Sequence, residues 1–153
     1  MILFYALLIG VLTGLRSLTP VAVTAWYAHL GWIKLQSPLA WVGSMASAAI
    51  FTVLAIIELV TDKLPKTPSR TAPPGLIARI VLGGLAGACV AMAGGAGAIT
   101  GAGLGAIGGI AGAFGGYQAR TRLVKALHAP DYVVAVLEDL LTICGSLWVL
   151  SRI

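Results

Sequence analysis

The chain holds only five carboxylates, Glu58, Asp62, Asp131, Glu138 and Asp139, against ten lysines and arginines. Glu58 and Asp62 are four residues apart, so a helix sets them on one face. Glu138 and Asp139 lie about two turns into an apolar run, roughly 10–12 Å along a helix axis. An ionisable group inside an apolar segment is costly and is a functional candidate by default. Glu58 and Glu138 could bind a cation or carry a coupling proton. Arg16 and Arg79 could hold an anionic group or balance those acids. Lys63, beside Asp62, and Asp139, beside Glu138, complete the set. The alternative use of the same charges is structural: ion pairs that lock helices together, with Arg16, Arg79 and Arg120 as partners. Asp131 reads as a helix cap.

A small pattern repeats among the cations. Arg16-Ser17-Leu18-Thr19-Pro20 and Arg70-Thr71-Ala72-Pro73-Pro74 each place an arginine and a hydroxyl before a proline that opens a helix. A free helix N-terminus beside an arginine and hydroxyls suits an anion. It is equally how a helix starts at an aqueous interface. Other chemistries find no support. His29 and His128 have no second ligand at a metal spacing. There is no phosphate-binding loop, nucleophile elbow or paired-histidine zinc motif, and glycine-rich strings here follow no strand. We therefore expect no enzyme activity and no cofactor. Cys89 and Cys144 sit in apolar runs and read as small hydrophobes.

The elements that position these charges are membrane helices. Of 153 residues, 59% are hydrophobic and 10% charged, and the mean hydropathy is +0.98. Soluble domains carry about 25% charged residues. The expected fold is an all-α polytopic transmembrane bundle of about six helices in a single domain, 1–153. Halves of about 1–62 and 75–153 are joined by a proline-rich polar linker, 63–74, and could be inverted three-helix repeats. Segment one runs from Ile2 to Leu15. No Lys or Arg precedes it, so it reads as a membrane helix rather than a secretory signal. Segment two, Pro20 to Ile33, is short for a ~30 Å hydrocarbon core and is either a tilted span or a re-entrant half-helix. Segment three starts with a Ser37–Pro38 cap and runs to Val60. Segment four runs from Gly75 to Ala93, segment five from Gly97 to Tyr117, and segment six from Pro130 to Leu150.

Segment five is dense in glycine. Gly97, Gly101, Gly105 and Gly109 are spaced by four, as are Gly108, Gly112 and Gly116. This extended small-xxx-small pattern predicts very close helix packing, within the chain or across a homodimer. The net charge of +5 follows the positive-inside rule. With six spans, Arg16, Lys63, Lys66, Arg70, Arg79, Arg120, Arg122 and Lys125 gather at one face and Lys34 and Arg152 at the other. The first face is therefore cytoplasmic and both termini are outside. Trp26, Trp32, Trp41 and Trp148 suit interfacial belts. No basic stripe interleaved with aromatics supports nucleic-acid binding.

The strings Gly14-Leu15-Arg16-Ser17-Leu18-Thr19-Pro20, Glu58-Leu59-Val60-Thr61-Asp62-Lys63-Leu64-Pro65 and Thr67-Pro68-Ser69-Arg70-Thr71, with Glu138-Asp139, resemble a bacterial membrane family, domain of unknown function 4126. The resemblance covers nearly the whole chain. It implies a small inner-membrane protein and brings no established activity. It also implies that Arg16, Glu58, Asp62, Lys63, Arg70 and Glu138 belong together. The combined expectation is a transporter or channel for an ion or small charged solute. Its site would be Arg16, Glu58, Asp62, Lys63, Arg70, Arg79, Glu138 and Asp139. Binding or flipping of a phosphate-bearing lipid, or a non-catalytic scaffold, are the alternatives.

Overall fold

A computed structural model describes residues 1–64, 71–128 and 130–153. Its described residues form six α-helices and no strand. They are α1 (Ile2–Leu15), α2 (Thr19–His29), α3 (Met45–Thr61), α4 (Pro73–Ala93), α5 (Ala98–Leu127) and α6 (Asp131–Leu150), with a 3-10 turn at Ala40–Gly43 before α3. Three of them, α4, α5 and α6, are long and apolar enough to cross a membrane, and α1 and α3 are shorter apolar helices.

The apolar runs set most boundaries. Arg16 ends α1 by turning extended, at φ −136 and ψ 112. Proline opens both α2 and α4, where its missing N–H removes no intrahelical bond. Two boundaries differ from expectation. The Ser37–Pro38 pair does not cap α3. That role belongs to Ser44, whose side chain accepts from the Ser47 N–H at 3.1 Å. Helix α5 does not stop at Tyr117 but continues to Leu127, so the expected loop carrying Arg120, Arg122 and Lys125 is three further turns of helix. Arginine, leucine, lysine and alanine are good helix formers; the apolar pattern ends there while the helix does not.

Glycine determines how the helices pack. Helix α5 lies between α4 and α1. A Cβ on Gly105 would fall 2.9 Å from Gly83 C and 3.0 Å from Gly87 Cα of α4, and one on Gly109 would fall 2.5 Å from Arg79 O. On the α1 side, a Cβ on Gly14 would fall 2.5 Å from Gly109 O and 2.6 Å from Gly112 C. Gly101, Gly105, Gly108, Gly109 and Gly112 of segment five thus pack within the chain. The core next to this seam contains Tyr5, Ile9, Val21, Ala86, Val90 and Val149.

These contacts fix directions. Ile2 packs on Gly94 at the end of α4, and Gly14 packs beside Gly109 and Gly112. Helix α1 therefore runs parallel to α5 and antiparallel to α4. Tyr27 Oη donates to Leu147 O at 3.3 Å, near the end of both α2 and α6, so these two run in the same direction. Segment two thus leads from the charged end of the bundle to the other end and does not fold back. Both termini lie at that other end, where Ile153 and Ile2 pack on one core. Exposed Trp32, Trp41 and Trp148 lie there too.

Candidate functional site: a charge network around a buried turn

Only three residues separate α1 from α2, and the turn they form lies inside the bundle. Arg16, Ser17 and Thr19 are all buried. A helix N-terminus leaves backbone N–H groups without intrahelical partners. Helix α3 supplies the acceptor. Glu58 Oε1 accepts from Ser17 N at 2.8 Å and from Ser17 Oγ, and Glu58 Oε2 accepts from Leu18 N at 2.9 Å. The Arg16-Ser17 element does bind an anion, and that anion is the protein's own carboxylate. Irregular backbone at membrane depth is tolerated only where protein buries it or a wet cavity borders it.

The Arg16 side chain is fully buried and reaches the acids of two helices. Nη1 pairs with Asp62, the residue that caps the end of α3, and Nη2 lies 2.6 Å from Asp139 Oδ1 of α6. Nη2 also donates to Ala135 O at 3.5 Å. Lys63 Nζ closes the group from outside, 3.0 Å from Asp139 Oδ2 and 3.0 Å from Leu59 O. Its side chain is 35% exposed, which makes it the most accessible member of this pairing.

Arg79 enters from α4. Its Nε donates to Gly14 O at 3.0 Å and its Nη1 to Gly75 O at 2.9 Å. The first of these bonds satisfies a carbonyl at the end of α1. Nη2 lies 4.0 Å from Glu58 Oε1. Arg120 enters from α5. Its Nε donates to Asp131 Oδ1 at 2.8 Å, its Nη2 pairs with Asp131 Oδ2, and its Nη1 lies 3.5 Å from Glu138 Oε2. Asp131 is the first residue of α6 rather than its cap, and its side chain serves this pair.

Four acids, Glu58, Asp62, Glu138 and Asp139, are therefore drawn into ion pairs at the charged end of the bundle, while Asp131 pairs with Arg120 at the exposed start of α6. Arg16, Glu58, Asp62, Lys63, Arg79, Glu138 and Asp139 meet at the charged end, while Arg70 lies outside the described residues. Arg16 and Arg79 balance acids, one of the two uses foreseen for them. Sequence reasoning named Arg120 only as a structural ion-pair partner and read Asp131 as a helix cap, so neither was counted in the site. It could not anticipate the Ser17 and Leu18 amides or Gly14 O as partners, because backbone groups carry no sequence signal. A cleft of about 150 Å³ opens between α5 and α6 beside the network. Its walls include Leu15, Ala119, Leu123 and Leu137, and Arg120 and Glu138 border it.

Apolar helices of spanning length around a buried set of charges define a membrane protein with a helical bundle fold. The chain belongs to the family described as Domain of unknown function (DUF4126), which it matches over residues 3–151. Among curated proteins and among solved structures nothing matches it.

Proposed function

We propose that this protein is a small transporter or channel for an ion or small charged solute, acting through the network around the α1–α2 turn. One observation carries the reading: Glu58, Asp62 and Asp139, from helices far apart in the chain, all bond to one buried interruption between two short helices, with Glu138 next to Asp139 on α6. A bundle needing only stability would do without such a cluster. Buried ion pairs are often no better than well-packed apolar residues of the same volume, whereas removing one partner is strongly destabilising. Short helices that meet at an irregular turn near membrane depth are also how transporter sites are built. Glu58, Asp62, Glu138 and Asp139 would be the ion-binding acids, and Arg16, Lys63 and Arg79 their internal competitors.

The distribution of Lys and Arg supports a bacterial cytoplasmic membrane location with the charged end of the bundle inside. A homodimer would meet through the outward surface of α5, where Gly103 and Gly115 stand clear of any neighbour. The test is purified protein in liposomes, assayed for flux of protons, sodium, potassium, chloride and phosphate. Selective flux of one of them above protein-free liposomes supports the reading; rates equal to the lipid background for all five refute it.

The α5–α6 cleft favours a second reading, binding of a phosphate-bearing lipid. Its apolar walls suit an acyl chain, and Arg120 borders it. Native mass spectrometry that retains an anionic lipid on the wild type but not on Arg120→Gln supports this; equal retention by both removes it.

A further inference from the structure

Four hydroxyls buried in the bundle are absent from the charge network. Thr13 of α1, Thr24 of α2, and Thr142 and Ser146 of α6 each have no exposed surface. Thr142 and Ser146 lie one and two turns beyond Glu138, about 6 and 12 Å along α6, away from the charged end. Thr24 and Thr13 lie at the same level. Arg16 reaches Ala135 O and Tyr27 reaches Leu147 O, so α2 follows α6 in parallel with Thr24 beside the turns of Thr142 and Ser146. From α1, Leu12 packs on Gly145, where a Cβ would fall 3.0 Å from Leu12 Cδ2, which sets the level of Thr13, the next residue. The four hydroxyls thus lie buried at one level of the neighbouring helices α1, α2 and α6, between the charge network and the opposite end of the bundle.

Their hydrogen bonds decide what the α1–α2–α6 seam could accept. Each hydroxyl has one proton and two lone pairs. Thr13 donates to Ile9 O at 2.8 Å, Thr24 to Pro20 O at 2.7 Å, Thr142 to Glu138 O at 2.8 Å and Ser146 to Thr142 O at 2.7 Å. Every proton is committed to its own helix, so only lone pairs remain to face the seam. A row of acceptors coordinates cations and accepts from water or hydronium; it has nothing to donate to an anion. At the foot of α2, level with Arg16 and Asp139, Thr19 Oγ1 is buried and has no hydrogen-bond partner. Its proton is uncommitted, at the junction of the seam with the network. A buried polar group without a partner calls for an unassigned water or ion.

We infer that the α1–α2–α6 seam is the route by which a small cation, proton included, passes between the charge network and the far side of the bundle. This rests on the transporter reading and assigns it a sign and a path. Backbone-bonded hydroxyls also occur in membrane helices for packing alone, and flux separates the two uses. In liposomes, wild-type protein should carry protons, sodium or potassium but neither chloride nor phosphate. Thr142→Val with Ser146→Ala keeps the volume and removes the acceptors, and should lower that flux at least tenfold. Thr142→Ser should retain it, and so should Thr121→Val, which removes an exposed hydroxyl with the same kind of backbone bond. If the double variant fails to fold, Thr24→Val on the facing helix should give the loss. Cation flux unchanged in the folded variants but abolished in Glu58→Gln with Glu138→Gln overturns the seam and leaves the transporter reading intact. Chloride or phosphate flux overturns the sign. No flux of any kind overturns both.

Discussion

Replacing Gly105 with alanine tests the packing that holds the charged turn in place. The added Cβ would lie 2.9 Å from Gly83 C and 3.0 Å from Gly87 Cα, with the Gly83 carbonyl oxygen nearer still. Comfortable contact between carbons begins at about 3.5 Å. The obstacles are backbone atoms, which cannot rotate aside, so α4 and α5 must part by roughly 0.5–1 Å. A gap of that size forfeits about a quarter to a half of the dispersion energy at each atom pair it opens. Overpacking of this kind costs about 1–3 kcal/mol. Alanine recovers about 0.5–1 kcal/mol of helix propensity, leaving a net loss centred on about 1 kcal/mol, roughly a 5-fold shift in the folded ratio. Gly103→Ala is the control: nothing lies within 4 Å of its Cβ, so it should be neutral or stabilised by up to about 1 kcal/mol. Unfolding of the purified protein in mixed micelles, titrated with denaturing detergent and followed by tryptophan fluorescence, reads both. Equal stability of Gly105→Ala and Gly103→Ala would refute the packing argument.

Other consequences follow from single contacts. Arg16→Lys keeps the charge but cannot pair with Asp62 and Asp139 together through a planar fork. It should lower the unfolding midpoint by an amount equivalent to about 2–5 kcal/mol, and a midpoint equal to wild type would show that the fork is dispensable. Ser44→Ala should cost about 1 kcal/mol by removing the α3 cap, whereas Ser37→Ala should be silent in the same titration. A cysteine placed at residue 2, with Cys89 and Cys144 replaced, should react with an impermeant reagent from outside intact cells; labelling only after permeabilisation would reverse the orientation.

The sequence revealed the kinds of residue in the site better than their partners. Helix α1 was legible to the residue because an apolar run ended at an arginine. Helix α5 was not, because polarity marks where lipid gives way to water and says little about where a helix made of good helix formers stops. Ser37–Pro38 had the composition of a cap, but the chain made a 3-10 turn at Ala40–Gly43 first, and Ser44, three residues before Ser47, took the role. Glu58, Asp62, Glu138 and Asp139 stood out because charge in an apolar run is conspicuous. Their pairing did not, because it depends on the register between helices far apart in the chain. Gly105 was visible as part of a close-packing pattern, yet only the three-dimensional arrangement showed that α4 and α1 were its partners. The Arg-Ser/Thr pattern drew attention to the start of α2, where the Ser17 and Leu18 amides meet the Glu58 carboxylate. Thr13, Thr24, Thr142 and Ser146 drew no notice, since single hydroxyls in apolar runs are ordinary. The four-residue steps from Glu138 to Thr142 to Ser146 were their one signal.

The most direct measurement of the transport claim is the flux of the ion selected by wild-type protein, repeated in liposomes containing an equal amount of folded Glu58→Gln, Glu138→Gln protein. The account predicts that the double substitution reduces flux to the protein-free background. Flux that persists at the wild-type rate would remove these acids from the mechanism and leave the network as an ion-paired brace.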